Sequence, residues 1–147
     1  MMRYLLPLPV CAMVFFGHAA LAADEAGTVK VSRGSVGLER AGQRLEVPVG
    51  TRIFASDRIV TGADGSVGIT LRDNTLLSAG PNSTVDLNKF AFNSTTHAGA
   101  IDASVKRGTL SVVSGKIAKA TPDAVHFSAP GMTLGVRGTS FIIDAGQ

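Results

Sequence analysis

The sequence predicts an all-β domain: a single body of many short strands, arranged as a sandwich or a short solenoid-like stack, with no substantial helix beyond residue 22. Three observations predict it. Apolar residues recur at every second position in short runs, which puts them on one face of a half-buried strand. Clusters of Gly, Asn, Asp and Pro, which supply the backbone angles of tight turns, separate these runs. No window shows helical spacing.

Residues 1–22 read as a cleaved signal peptide: Arg3 gives a positive start, Leu5 to Phe16 is almost wholly apolar, and Ala20-Leu21-Ala22 is a small-x-small cleavage site. Cys11 does not convert this into a lipoprotein site, because Val10 precedes it where a small residue is needed. Cleavage leaves 125 of the 147 residues, without any cysteine and with 13 Lys+Arg against 11 Asp+Glu. Stability then has to come from burial rather than disulfides. The basic residues are scattered, unlike the single basic face of a nucleic-acid binder, so no nucleic-acid partner is expected. No later stretch has the length of a membrane span, so no transmembrane segment is expected in the mature chain.

Residues 23–27 are expected to form a short tail, 28–144 the β domain and 145–147 its end. Along the domain the alternating pairs are Val29/Val31, Val36/Leu38, Leu45/Val47, Val67/Ile69/Leu71, Val85/Leu87, Ile101/Val105, Leu110/Val112 and Met132/Leu134/Val136. Turns fall at Ala41-Gly42-Gln43, Ala63 to Ser66, Asp73-Asn74-Thr75, Gly80 to Ser83 and Ala129-Pro130-Gly131. Pro48, which cannot donate to a ladder, marks an edge strand or a strand start. Lys89 to Gly99 and Ser114 to Pro122 alternate weakly and are expected as surface connections, although Phe90 and Phe92 read as core-facing strand residues.

The chemistry expected of an enzyme is not spelled out. Gly115-Lys116 is followed by Ile117, which breaks the phosphate-loop pattern. Neither Ser66 nor Ser140 has the Gly-x-Ser-x-Gly frame of a nucleophile elbow. His97 and His126 stand alone, without the close ligand pair of a zinc site. No cofactor, metal or catalytic residue is expected. A hydrolase with carboxylates assembled across strands is the least favoured reading.

Near the end, Met132, Leu134 and Val136 are even-numbered but Phe141 and Ile143 odd. One residue of slip exchanges the faces of a strand, so the phase must change between them, and Gly138 is the natural break. Arg137 just before it can brace released carbonyls, pair with an acid such as Asp57 or Asp144, or touch a ligand. The bracing role is preferred, because charges inside a fold are normally paired.

The segments "VGTRIFASDRIVTGADGSVGITLRDNTLLSAGPNSTVDL" and "APGMTLGVRGTSFIID" resemble the periplasmic domain of the FecR family, the ferric-citrate-type regulators. The matching features are Gly50 before a turn, Asp57, Ile59, Thr61 and Gly62 in the Asp-x-Ile-x-Thr-Gly segment, and Asp73 in a strand-turn segment. The Pro81-Asn82-Ser83 turn and the terminal Val136, Arg137, Gly138, Thr139 and Phe141 complete it, so the resemblance runs from about Gly27 to Asp144. Ser56 stands where the family usually has glycine, and Asn74-Thr75 replaces Gly-Ser. The resemblance implies a periplasmic, all-β regulatory or scaffolding module that contacts another envelope protein, with the motif residues serving the fold. A receptor for a small envelope ligand, such as a glycan or peptidoglycan fragment, is the alternative.

Overall fold

The computed structural model describes residues 25–135 and 140–146. Twelve strands account for 64% of them, and together they form one curled, half-barrel-like sheet. In chain order they are β1 (Glu25–Arg33), β2 (Val36–Arg40), β3 (Gln43–Glu46), β4 (Arg52–Phe54), β5 (Arg58–Thr61) and β6 (Ser66–Leu71). Then follow β7 (Leu76–Ala79), β8 (Thr84–Phe92), β9 (Gly99–Val113), β10 (Val125–Ala129), β11 (Met132–Gly135) and β12 (Ser140–Gly146). A five-residue helix, α1 (Lys116–Ala120), precedes β10.

β9 is the strand on which the rest is hung. Its first half pairs with β8 on one side and, in parallel, with β10 on the other. Its second half pairs with β7 and β12, both antiparallel. One wing therefore runs β3-β2-β5-β8-β9-β10-β11 and the other β4-β1-β6-β7-β9-β12, with β9 common to both.

The burial pattern of β9 shows how it serves two wings. Ile101, Ala103 and Val105 are buried before the bend and Leu110 and Val112 after it, so the inward set passes from odd to even positions. Gly108, at φ +77°, makes the change. The curl lets both inner faces share one core, which includes Val29, Leu38, Ile53, Ile69, Leu87 and Phe127. Burying such side chains is the main favourable term for a chain without disulfides among its described residues.

Several expectations are corrected. The runs at Ile101/Val105 and Leu110/Val112 are one strand of fifteen residues, not two short ones. Val31 is exposed although Val29 is fully buried, because a bulge between them shifts the register against β6. Leu45 and Met132 lie on the outermost strands and face solvent. Ser114 to Pro122 is no plain surface connection: it carries α1, whose Ile117 is completely buried. Strand pairing already begins at Glu25, inside the stretch expected as a tail. Pro48 falls after β3, an edge strand, and before β4.

The phase change foreseen between Val136 and Phe141 has flanks that explain it. β11 pairs with β10 in one wing and β12 with β9 in the other, so the two apolar sets belong to different strands. Positions 136–139, with Arg137 and Gly138, lie outside the described residues.

A Cβ on Gly108 would lie 2.2 Å from Ser83 Oγ and 2.6 Å from Ser83 Cα. Gly108→Ala combines that clash with a left-handed backbone, and should cost about 2–4 kcal/mol in urea unfolding. Gly42→Ala, also at positive φ but with open space around it, should cost clearly less.

Candidate functional site

The motif residues gather at the turns, where they tie one strand connection to another. Asp57 is 1% exposed and its carboxylate accepts from Arg40 Nε at 2.8 Å, Arg40 Nη2 at 2.7 Å and the Phe54 amide at 2.8 Å. Arg40 also donates to the Arg52 carbonyl at 3.1 Å and stacks 4.8 Å above the Phe54 ring. The end of β2 is thus clamped to the β4–β5 turn. Asp57 is one of the two candidate partners of Arg137, which lies outside the described residues; among those residues its carboxylate is held by Arg40. Asp144, the other possibility, is exposed and accepts from the Gly146 amide.

A second fastener joins three connections. Thr61 Oγ1 donates to the Gly80 carbonyl at 2.6 Å and accepts from the Ser83 amide at 2.9 Å. Gly62 donates its amide to the Ser35 carbonyl and accepts from the Asn82 amide. Ser83 Oγ accepts from the Thr109 amide at 3.0 Å, beside the bend at Gly108. Asp73 centres a third. Its carboxylate accepts from the Thr75 amide and hydroxyl and, 44 positions along the chain, from the Ile117 amide at 3.2 Å. Thr75 Oγ1 accepts from the Gly115 amide. These bonds satisfy the first turn of α1, which has no side-chain cap of its own.

The other motif residues take simpler places. Gly50, at φ +96°, turns the chain toward β4 and bonds its amide to the Val29 carbonyl. Ile59 is core. Phe141 is half-buried and meets the Phe127 ring edge-on at 5.4 Å. Val136, Arg137, Gly138 and Thr139 are outside the described residues. The pairing of Arg40 with Asp57 was missed in the sequence, since Arg40 stands in "LERAGQR", which reads as a solvated turn.

The two outward faces differ sharply. On the β10 wing a polar ladder crosses five strands. Arg58 grips Asp86 with two bonds of 2.6 and 3.0 Å and approaches Glu39 at 4.0 Å. Asn88 bridges Asp102 and Ser104, and Ser104 accepts from Ser128 at 2.9 Å. The bond to Asp86 raises the Arg58 pKa above its ordinary value. An open groove of about 590 Å³ lies along this ladder, lined by Glu39, Arg44, Arg58, Asp86 and Asn88 among others. At the Ser35–Asp64 corner, the Ser35 amide holds the Asp64 carboxyl below the usual aspartate range.

The β12 wing is the opposite. Its register aligns one outward row through Thr28, Thr70, Leu76, Val113 and Ser140, and the next through Gly68, Ser78, Ser111 and Ile142. Val31 packs over Gly68. Across β1, β6, β7, β9 and β12 no residue in these two rows is charged, and Val31, Leu76, Val113 and Ile142 are all more than 40% exposed. Arg52 of β4 continues the first row beyond Thr28, and Asp144 lies outward in the row past Ile142. Among the described residues no group of three His, Cys, Asp or Glu could hold a metal ion, and no helix is long and apolar enough to cross a membrane.

A family model described as FecR protein matches residues 57–147. The chain belongs to the FecR family. Domains of this family are regulators of the cell envelope rather than enzymes, and act through other envelope proteins. Neither a curated protein nor a solved structure matches the chain significantly. The FecR match opens at Asp57, so β1 to β4 and Gly50 precede it, a shorter reach than the resemblance suggested.

The two departures from the family pattern have a common physical setting. Ser56, at φ +73°, and Asn74, at φ +69°, both occupy the left-handed region where glycine is at ease. Asparagine tolerates it; serine does so less readily. Ser56→Gly should therefore raise unfolding free energy by about 0.5–1 kcal/mol. Asn74→Gly should change it little. Next door, Asp57→Ala strips the Phe54 amide and Arg40 of their acceptor and should cost about 2–3 kcal/mol, the half-exposed arginine recovering part by hydration. Chemical denaturation of the three variants checks both statements.

Proposed function

We propose that this FecR domain is a non-enzymatic binding or scaffolding module of the periplasm that contacts another envelope protein. The observation that carries the reading is the pair of uncharged outward rows across the middle of the β12 wing, bounded by Arg52 at one end and Asp144 at the other. Contiguous exposed apolar surface on a soluble body marks contact sites, and depletion of charge is the mark of an interface core. The buried polar side chains support the same reading. Asp57, Thr61, Asp73, Thr75 and Ser83 are each committed to fastening turns. Glu39 and Asp86, which flank Arg58 on the neighbouring strands, are bridged by it. Their charge is spent on an ion pair. We read the motif residues accordingly as servants of the fold, and the exposed wing as the working surface.

The groove beside Arg44 and Arg58 favours the second reading, a receptor for a small polar envelope ligand such as a glycan or peptidoglycan fragment. The two readings put the contact on opposite wings and are separable. Leu76→Glu places a charge at the centre of the uncharged rows, at a site 43% exposed in the free domain. It should abolish retention of partner proteins from envelope extract while leaving the melting temperature unchanged. Arg44→Ala should leave that retention intact. The reverse outcome, together with thermal stabilisation of the parent by peptidoglycan fragments, favours the receptor.

A further inference from the structure

Among the described residues β12 pairs with β9 on one side only, which leaves a seven-residue backbone edge open on the other. Natural sheets guard such edges with charges, proline, bulges or brevity. β3 is guarded by Arg44 and Glu46, and β4 is only three residues long with Arg52 at its start. β12 keeps a regular register from Ser140 to Asp144, and at its middle stands Ile142, 72% exposed.

We propose that β12 pairs antiparallel with β12 of a second copy of this chain, about a two-fold axis at Ile142. Directly opposed residues of an antiparallel pair point to the same side of the sheet. A sheet that continues across two copies must then set the outward residues Ser140, Ile142 and Asp144 against outward residues, and Phe141 and Ile143 against inward ones. Centring on Asp144 opposes two carboxylates. Centring on Ile143 opposes each carboxylate to an isoleucine. Centring on Phe141 leaves Ile143 and Asp144 without described partners. Centring on Ile142 sets isoleucine against isoleucine and gives each Asp144 carboxylate a Ser140 hydroxyl as donor. On the inner side it lays Ile143 of each copy beside the half-buried Phe141 of the other. This register suits each position from Ser140 to Asp144, and it is self-complementary, as a two-fold contact requires. The Ile142 rows of the two copies then join end to end into one uncharged row. The five residues per copy from Ser140 to Asp144 bury less than the roughly 800 Å² per partner of a standard interface, so the pair is weak and forms at high concentration.

Sedimentation equilibrium of the full chain, as processed by its host, over a micromolar to millimolar series should show a monomer–dimer equilibrium. Ile142→Lys and Ile142→Asp, both at a solvent-facing position, should each stay monomeric with an unchanged melting temperature. Mixing the two in equal amounts should restore the dimer, now with lysine facing aspartate. In a Cys11→Ser background, Ser140→Cys mixed with Asp144→Cys should cross-link on oxidation to a heterodimer in at least several-fold excess over either variant alone. A parent chain that is monomeric throughout the series overturns the proposal. So does a dimer that survives Ile142→Lys, or a charge-swapped mixture that stays monomeric.

Discussion

The bend in β9 is the constraint on which the rest of the molecule depends. A single strand supplies the ladder for four neighbours, two before Gly108 and two after it. A strand of fixed phase would bury one half of its apolar residues and expose the other. With the phase reversed at Gly108, Ile101 to Val105 and Leu110 to Val112 all reach one core. The bend needs a left-handed backbone and close approach to Ser83, and glycine alone offers both. Ser83 in turn is positioned by Thr61, so the Thr-Gly of the family motif holds the corner against which the central strand turns.

The polar residues inside the body follow the same logic. A half-barrel of short strands has many turns, and each turn exposes backbone groups that must find partners when covered. Thr61, Asp73 and Ser83 reach those groups from elsewhere in the chain, and Asp57 holds the Phe54 amide of its own turn while it binds Arg40 17 residues back. They replace the cross-links that a chain without a cysteine beyond Cys11 cannot make. Each acts between connections far apart in sequence, which couples the two wings to one another more tightly than strand pairing alone.

Much of this was legible beforehand. Period two and turn chemistry announced the strands because both are local properties of the backbone. A change of parity is present at Gly108 too, with Ile101 and Val105 odd, Leu110 and Val112 even and a glycine between, but in sequence these runs read as two strands, which hides the reversal within one. The same test applied to Met132 through Ile143 points to a break there, and β11 and β12 do part company. What stayed hidden was long-range. Nothing in "LERAGQR" says that Arg40 will meet an acid 17 residues on, and nothing near Asp73 says that it will cap a helix 44 positions away. The buried Ile117 in a polar stretch was the one local hint of that helix. The uncharged rows were equally silent, since it takes the registers of three strands to bring Leu76, Val113 and Ile142 together.

The contrast between the wings follows from how each is stabilised. On the β10 wing the outward side chains bond to one another, with Arg58, Asp86, Asn88, Ser104 and Ser128 forming a continuous chain of donors and acceptors. Groups already satisfied within the surface gain little from a partner and lose solvation when covered, which makes that face a poor place for a dry contact. On the β12 wing, threonine, serine and glycine alternate with exposed valine, leucine and isoleucine, and between β1 and β12 the two outward rows contain no ion to desolvate. Covering it removes apolar area from water at almost no polar cost. A module that works by contact, the role proposed for this domain, needs a surface of this kind, because its output is another molecule's position. The fasteners make that surface useful: they hold five strands in one register, so a partner meets a preformed shape and does not have to order it on binding.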